Sequence, residues 1–298
     1  MSMKPFTYLA PIAPFEYLRP NTLDEAVETL DIYGDRAKLL AGGTDLTILL
    51  KDRAIKPEVI IDISRLRKEL AGITVKDNKL MIGALTTFTE LERDANVKLF
   101  AQALSEGASL VGTYQIRNLG TIGGNLANAS PSADSGPPLI ALSGLIHIRC
   151  QHGERSIPVE HLFMDVKKTV LSPNDIITGV ELPANEKVSS RYVRAQKRNE
   201  NALSIVSVAV ASQIEGNRFG ASRVSLGSAA PTPILCESSS ERLSGSLVCS
   251  ETFEVVARFA RDECVPSKRA LRAGPEYRRH LVYVLTKRAI QEVSGIAR

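Results

Sequence analysis

The chain has 298 residues, 44% of them hydrophobic, and a mean hydropathy of -0.03, so it can bury the cores of two or three compact units. No apolar run approaches the roughly 18 residues that a membrane-spanning helix needs, so no transmembrane segment is predicted. The net charge is +4 and the isoelectric point is about 8.8, but the basic residues are mostly spread out and no aromatic residues alternate with them, which argues against nucleic-acid binding.

The N-terminus and the cysteines indicate the cellular compartment. Residues 1–18 contain prolines and no hydrophobic segment of a signal peptide, so we expect a cytoplasmic protein. The four cysteines lie far apart and form no C-x-x-C pair or similar metal-binding pattern. We therefore predict free, buried thiols, with no metal site and no iron–sulfur cluster on this chain, for Cys150, Cys236, Cys249 and Cys264.

The first part of the chain reads as strands and helices around a pair of glycines. Polar residues at 21–25 can cap a helix, and residues 38–41 form a short apolar strand that leads into Gly42-Gly43. Thr44 can cap a following helix to residue 51, and residues 59–63 read as a buried strand. A strand followed by a glycine turn and a helix start offers free N–H groups to a phosphate.

Gly42-Gly43 alone does not establish such a site. A glycine pair lacks two Cβ atoms and permits positive φ, so successive N–H groups can converge on an anion. The segment lacks both the G-x-G-x-x-G pattern of a Rossmann loop and the lysine of a P-loop. A tight turn between a strand and a helix therefore explains this pair equally well.

A hairpin and two helices are predicted next, followed by a long stretch without periodicity. Residues 73–75 and 80–84 form the hairpin, and Thr87-x-x-Glu90 is a capping-box pattern that opens the first helix. The second helix is predicted over residues 99–110. Residues 112–136 are rich in Gly, Asn, Ser and Thr, and an aperiodic segment of this length usually serves a site.

This stretch contains a second glycine pair, within Thr121-Ile122-Gly123-Gly124-Asn125. Side-chain donors and acceptors alternate there with residues that have almost no side chain, which suits a groove around a long, thin, polar ligand. Both glycine pairs are flanked by Thr and by Asn or Asp. Together they predict a diphosphate that is held from two sides.

The rest of the chain is predicted to add a separate α+β unit. Strands are predicted at residues 145–148 and 176–182, and residues 182–187 read as a linker. Beyond the linker, strands precede helices, an order typical of an α+β unit. These later elements are strands at 192–196, 204–211 and 221–226, and helices at 237–245, 251–262 and 275–293.

With their neighbours, the two glycine segments resemble the paired signatures of a known family. The segments are Leu40-Ala41-Gly42-Gly43-Thr44-Asp45-Leu46 and Ile116-Arg117-Asn118-x-Gly120-Thr121-Ile122-Gly123-Gly124-Asn125-x-x-x-Ala129-Ser130-Pro131-x-x-Asp134. Tyr192-x-Arg194 and Leu226-Gly227-Ser228-Ala229-Ala230-Pro231-Thr232-Pro233 extend the likeness over nearly the whole chain. The chain thus resembles the FAD-binding (medium) subunit of molybdenum hydroxylases, a family that includes xanthine dehydrogenases and aerobic carbon monoxide dehydrogenase.

The resemblance implies an α+β fold with an FAD-binding domain of the vanillyl-alcohol-oxidase/p-cresol-methylhydroxylase type. Two subdomains, residues 1–66 and 67–184, would hold the FAD between them. Residues 188–298 would form a small α+β C-terminal domain like that of the carbon monoxide dehydrogenase flavoprotein.

The resemblance also assigns FAD-binding residues. The diphosphate would lie between residues 41–45 and the second glycine pair, Asp134 would accept hydrogen bonds from ribityl or ribose hydroxyls, and Ile177, Tyr192 and Arg194 would lie near the isoalloxazine ring. The full implied set is Leu40, Ala41, Gly42, Gly43, Thr44, Asp45, Val111, Thr121, Gly123, Gly124, Asn125, Ser130, Asp134, Ile177, Tyr192 and Arg194.

Some of these residues have simpler interpretations. Tyr192 also suits the core of a strand, and Asp45 can stabilise the first turn of a helix through its charge. Arg117 can pair with a carboxylate of a partner chain rather than with phosphate. Relatives often carry Lys at the position of Arg194, so its role stays open.

By the same resemblance, the chain is an oxidoreductase subunit without catalytic residues of its own, because the flavin performs the redox chemistry. A large subunit would hold the molybdenum cofactor and hydroxylate the substrate, and a small subunit would pass electrons from two [2Fe-2S] clusters to the FAD of this chain. The final acceptor would be NAD, a quinone or another molecule. The complex is expected to be a dimer of heterotrimers.

Two other functions stay open. The chain could be a stand-alone FAD-dependent oxidoreductase of the same fold, although no His or Cys lies beside either glycine pair to tether a flavin covalently. It could also be a scaffold that has lost FAD, which the intact glycines and Asp134 argue against.

Overall fold

The computed structural model of the protein describes residues 12–199, 201–267 and 272–295, which form three main sheets with helices packed against them. Residues 1–11, which carry part of the signal-peptide interpretation, lie outside the described residues. The strands are β1 (Glu16–Leu18), β2 (Ala37–Leu40), β3 (Val59–Asp62), β4 (Ile73–Lys76), β5 (Lys79–Gly83), β6 (Leu145–Cys150), β7 (Gly153–Pro158), β8 (Phe163–Asp165), β9 (Lys168–Thr169), β10 (Ile176–Pro183), β11 (Val188–Ala195), β12 (Val206–Glu215), β13 (Arg218–Gly227) and β14 (Ile234–Leu235). The α-helices are α1 (Leu23–Tyr33), α2 (Leu46–Lys51), α3 (Arg67–Leu70), α4 (Phe88–Arg93), α5 (Ala95–Phe100), α6 (Gln102–Ser109), α7 (Tyr114–Leu119), α8 (Ile122–Asn128), α9 (Gly136–Ala141), α10 (Glu237–Leu243), α11 (Ser250–Glu263) and α12 (Pro275–Val293).

The first sheet is small and parallel, with strand order β1-β3-β2. Its central strand β3 is buried along its whole length, and the apolar stripe of α1 shares its core. Thr22 caps α1 by accepting a hydrogen bond from the Glu25 N–H, as the sequence predicts. The carboxyl end of β2 leads directly into the Gly42-Gly43 turn and then into α2, which places this turn at the edge where parallel strands end.

The second sheet is antiparallel, with strand order β4-β5-β10-β6-β7. Ile146 and Ile148 of β6 are buried, whereas His147 between them lies on the outer face, as the two-residue period of a strand requires. Helices α4, α5, α6, α8 and α9 contribute to the core on the inner face. The predicted capping box is present, because Thr87 Oγ1 accepts from the Glu90 N–H and the Glu90 carboxylate accepts from the Thr87 N–H.

The third sheet joins the rest of the molecule to the C-terminal helices. Its strand order is β11-β12-β13-β14. Along β12, Ala209 and Ala211 pack into the core of the second sheet, while Val208 and Val210 face the core formed with α10, α11 and α12. Both faces of β12 are therefore buried, which explains its continuous apolar sequence. The predicted α+β character of this part is confirmed.

Several local predictions were wrong. Residues 112–136 are not aperiodic, because Thr113 and Thr121 cap two short helices, α7 and α8. Helix α2 begins at Leu46 with Asp45 at its N-cap, so Thr44 does not cap it. The helix predicted over residues 99–110 is divided between α5 and α6. The predicted linker at residues 182–187 is shorter in the structure, since β10 runs to Pro183 and residues 184–187 connect it to β11, which begins at Val188.

Two further predictions concern membranes and cysteines. None of the helices in the described ranges has the length and apolar composition of a bilayer-spanning helix. The four cysteines are free thiols, but only Cys236 and Cys264 are buried, while Cys150 and Cys249 are half-buried.

Candidate functional site

The structure brings the two glycine segments into direct contact. A Cβ atom added to Gly42 would lie 1.8 Å from the carbonyl oxygen of Leu119 and 3.1 Å from the backbone nitrogen of Gly120. Leu119 ends α7 and Gly120 precedes the Thr121 cap of α8. The turn after β2 therefore packs backbone to backbone against the start of the second segment, and only glycine fits at position 42.

A cavity of about 620 Å³ lies where the two segments meet. This volume is in the range of sites for small organic ligands and cofactors. From the implied FAD-binding set, the cavity is lined by Ala41, Gly42, Gly43, Thr44, Asp45, Val111, Thr121, Gly123, Gly124, Asn125 and Ile177. The two segments, which lie about 80 positions apart in the sequence, thus form two adjoining walls of one site.

The first wall offers unused backbone donors. Within the described ranges, no residue accepts a hydrogen bond from the N–H groups of residues 42–46. Gly43 has φ of +70°, a conformation that glycine adopts without strain, and its carbonyl oxygen accepts from the Thr47 N–H at 3.1 Å and from Thr47 Oγ1 at 2.6 Å. Five successive N–H groups beside a cavity are therefore available as donors to an anion.

The second wall differs, because its N–H groups already have partners. The Ile122 N–H donates to the Thr86 carbonyl at 3.0 Å and the Gly123 N–H to the Ala84 carbonyl at 2.9 Å. The Gly124 N–H donates to Thr121 Oγ1 at 3.2 Å. The second glycine pair therefore supplies space and side chains to the cavity, and the expectation that both pairs present free N–H groups holds only for the first.

The sequence interpretation missed many residues that line the cavity. They are Lys38, Leu39, Leu46, Leu49, Ala54, Ile55, Ile63, Ala84, Leu85, Phe88, Ile116, Gly120, Ala127, Asn128, Lys167, Leu171, Asp175 and Ile176. Most are apolar and come from elements that flank the glycine segments, so proximity to those segments was the available signal. Lys167 and Leu171 come from the short β8–β9 hairpin and its exit, which no sequence pattern predicted.

The charged residues that line the cavity are two lysines and two aspartates, namely Lys38, Lys167, Asp45 and Asp175. Lys38 and Lys167 are exposed cations on its lining. Asp175 is buried and held by the guanidinium of Arg155 through two bonds of 2.7 and 2.5 Å. This hydrogen bonding to Asp175 raises the pKa of Arg155 above its usual value. Because Arg155 neutralises Asp175, the two lysines outnumber the one remaining aspartate, Asp45, and this positive balance favours an anionic ligand.

Five residues of the implied set do not line the cavity. They are Leu40, Ser130, Asp134, Tyr192 and Arg194. Instead, Asp134 accepts hydrogen bonds from the Tyr192 hydroxyl at 2.5 Å and from Arg194 Nη1 at 2.5 Å. The side chains of Arg194 and Asp134 are only 3% and 7% exposed. This cluster joins β11 to the segment before α9, and contact of its members with a cofactor stays a prediction.

Burial controls the ionisation of this cluster. It raises the pKa of Asp134 above its ordinary value, although the charge of Arg194 and the hydrogen bond from Tyr192 oppose the shift. Burial, together with the neighbouring Asp134 charge, also raises the pKa of the Tyr192 phenol well above its usual value. Tyr192 therefore stays a neutral hydrogen-bond donor and is a core residue of the third sheet's inner face.

Arg117 is not available to a phosphate. It lies in α7, is buried, and pairs through Nε with Glu92 at 3.0 Å. Its Nη1 donates to the Val111 carbonyl at 3.2 Å, and its guanidinium lies 4.3 Å from the centre of the Tyr114 ring. Its carboxylate partner therefore belongs to this chain, and the bond to Val111 fixes a residue that lines the cavity.

Comparison with known proteins identifies the family. Residues 13–185 match the model of the FAD-binding domain in molybdopterin dehydrogenase, and residues 191–293 match that of the carbon monoxide dehydrogenase flavoprotein C-terminal domain. The chain belongs to the FAD-binding subunits of this family. The predicted family, the fold class and FAD as the cofactor are thereby confirmed.

The likeness to individual members of the family extends over nearly the full length. The chain is 32% identical to the xanthine dehydrogenase FAD-binding subunit of Escherichia coli O157:H7, over 94% of this chain and 96% of that protein. It is 32% identical to the carbon monoxide dehydrogenase medium chain of Hydrogenophaga pseudoflava, over 93% and 96%. A solved carbon monoxide dehydrogenase from Hydrogenophaga pseudoflava superposes with a TM-score of 0.91 at 30% identity, over 96% of this chain and 99% of that one.

The cavity suits the cofactor of the family. FAD is long, carries a doubly charged diphosphate and ends in two flat ring systems. The free N–H groups of residues 42–46 match the diphosphate, and a Cβ on Gly42 would destroy the contact that forms this corner. Apolar residues such as Val111, Ile116 and Ile177 line other parts of the cavity and suit the rings.

Proposed function

We propose that this chain is the FAD-bearing electron-transfer subunit of a heterotrimeric molybdenum hydroxylase. It takes electrons from the [2Fe-2S] clusters of a partner subunit and passes them to NAD, a quinone or another external acceptor. The observation that carries the proposal is the cavity between the two glycine segments, together with family models that match both parts of the chain.

The chain's own residues bind and orient the cofactor. The N–H groups of residues 42–46 would hold the diphosphate, and Thr121 and Asn125 would add side-chain hydrogen bonds from the second wall. When bound, FAD supplies the redox chemistry, since it accepts electrons singly and delivers them in pairs. Apolar neighbours such as Val111 and Ile177 would exclude water from the rings. No proton-transferring side chain of this chain is required.

The proposed partners follow from the relatives. Two of these relatives are medium chains of carbon monoxide dehydrogenase, and another is a subunit of the 6-hydroxypseudooxynicotine dehydrogenase complex of Paenarthrobacter nicotinovorans. We propose that a large subunit with the molybdenum cofactor and a small subunit with two [2Fe-2S] clusters bind this chain, and that two such heterotrimers associate in the cytoplasm. The division into residues 1–66, 67–184 and 188–298 is part of the same proposal.

Purification of the full chain with its co-purifying proteins tests this function. We expect an absorption spectrum with flavin bands, release of FAD on denaturation, and two further chains that contain molybdenum and iron. A colourless chain that cannot be reconstituted with FAD would contradict the proposal. Turnover of a small substrate by the isolated chain would instead favour a stand-alone oxidoreductase.

Gly124→Val is expected to weaken FAD binding at least tenfold, a loss of about 1.4 kcal/mol or more of binding free energy, while the chain still folds. Gly124 is exposed to the cavity, and a Cβ there would meet only Thr121 Oγ1, at 3.0 Å. The added side chain therefore occupies ligand space without displacing backbone. Fluorescence titration with FAD measures the affinity, and circular dichroism checks the fold. Gly124→Ala should give a smaller loss, and equal affinity of the Val variant and the wild type would show that FAD lies elsewhere.

A further inference from the structure

The side-chain amide of Asn125 bonds a buried serine through its oxygen atom. Asn125 is half-buried in α8 and lines the cavity. Its Oδ1 accepts a hydrogen bond of 2.6 Å from Ser135 Oγ. An amide side chain carries its acceptor oxygen and its donor nitrogen at opposite corners of one plane. With Oδ1 engaged, Nδ2 is left for the cavity, and no residue in the described ranges accepts a hydrogen bond from it.

Ser135 is itself firmly placed. It is fully buried directly before α9, and its carbonyl accepts from the Leu139 N–H at 3.1 Å. The chain before it is anchored by the third sheet, since the Ser228 N–H donates to the Pro131 carbonyl at 2.9 Å. Ser132 Oγ lies 2.9 Å from Ser228 Oγ. The Ser135 hydroxyl therefore has little freedom to move away from Asn125.

The neighbouring cluster reinforces this anchorage. Asp134 precedes Ser135 directly and is held by Tyr192 and Arg194 of β11. A Cβ on Gly107 would lie 2.4 Å from the Asp134 carbonyl oxygen, so α6 also packs closely against this segment. Contacts from β11 and α6 thus fix the segment that carries Ser135, whose hydroxyl bonds the cavity-lining side chain of Asn125.

We infer that Ser135 is a positioning residue, which turns the Asn125 amide so that its NH₂ group donates towards the diphosphate of FAD. The inference rests on the proposed FAD site. It explains how the second wall contributes a donor even though its backbone N–H groups are occupied by Thr86, Ala84 and Thr121. A reversed amide would present the lone pairs of Oδ1 to an anion and repel it.

Binding measurements on the full chain stripped of flavin test the inference. The ligands are FAD, ADP and riboflavin, of which only riboflavin lacks phosphate. For Ser135→Ala we expect FAD and ADP to bind about tenfold more weakly, the effect of losing one well-oriented hydrogen bond to a charged group, and riboflavin binding to stay unchanged. Ser212→Ala is the matched control, because this serine is equally buried and bonds Ser222 Oγ at 2.7 Å within the third sheet.

A double-mutant cycle separates positioning from general destabilisation. If Ser135 acts through Asn125, Ser135→Ala causes no further loss of FAD affinity in an Asn125→Ala background. An equal loss in both backgrounds overturns the inference, as does wild-type FAD affinity in Ser135→Ala. Asn125→Asp, at a half-buried position, covers the case in which Ser135→Ala fails to fold: it removes the NH₂ group and should weaken FAD and ADP but not riboflavin, and unchanged ADP binding overturns the inference. Failure of the wild-type chain to bind FAD would instead reject the proposed function.

Discussion

Gly42→Ala is expected to abolish FAD binding and to lower the free energy of unfolding by about 3 kcal/mol, the upper part of the range for overpacking. The added methyl group would lie 1.8 Å from the Leu119 carbonyl oxygen and 2.6 Å from its carbon, so two backbone segments must separate. Neither neighbour is the end of a flexible side chain. Urea denaturation measures the stability, and fluorescence titration measures the FAD affinity.

Gly274→Ala is the matched control for this prediction. No described atom lies within 4 Å of a Cβ added at Gly274, and its φ of -68° is one that alanine adopts freely. The control should therefore stay within about 0.5 kcal/mol of the wild type, as surface substitutions usually do. Wild-type stability and FAD affinity in Gly42→Ala would show that the two glycine segments do not pack together in solution.

Arg194→Ala is expected to cost about 3 kcal/mol of unfolding free energy or more, because it leaves the buried carboxylate of Asp134 without its ion-pair partner. The loss should depend on pH. Burial already raises the pKa of folded Asp134 above the ordinary value of 3.8, and removal of the Arg194 charge, which opposes the shift, raises it further. A folded state that binds the proton more tightly than the unfolded state is most stable at low pH and loses that advantage as the pH rises through the folded pKa.

The penalty of Arg194→Ala should therefore be larger at about pH 8 than at about pH 4, which urea denaturation at the two values measures. Arg194→Lys retains a positive charge and should recover part of the loss. Arg36→Ala removes an exposed ion pair with Glu58 and should cost less than about 0.5 kcal/mol at either pH. A penalty for Arg194→Ala that does not change with pH would contradict a charged Asp134 in the folded wild type.

The sequence was sufficient for features that local chemistry determines. Capping was recognised among residues 21–25, where Thr22 is the cap, and in the Thr87–Glu90 pair, because a cap depends on residues within one turn. The glycine pairs indicated close approach because few other residues tolerate it. The apolar alternation of β6 likewise follows from the period of a strand, whatever the sheet around it.

Other features depend on contacts between distant residues, and the sequence alone did not reveal them. The N–H groups of Ile122 and Gly123 donate to the carbonyls of Thr86 and Ala84, 36 and 39 positions away, so the sequence did not show that these donors of the second glycine pair are already used. The bonds of Asp134 to Tyr192 and Arg194 cross from the segment before α9 to β11, and only the fold brings them together. Lys167 lines the cavity from the turn between β8 and β9, and these two strands are too short to show a periodic pattern in the sequence.

The unequal use of backbone N–H groups on the two walls has a consequence for assembly of the flavoprotein. The N–H groups of residues 122–124 already donate to backbone carbonyls just after β5 and to Thr121 Oγ1, so these donors have partners within the protein. Among the residues that the structure describes, none accepts a hydrogen bond from the N–H groups of residues 42–46, so these donors can bond a bound anion. FAD binding should therefore change the hydrogen bonding of the N–H groups of residues 42–46 more than that of residues 122–124.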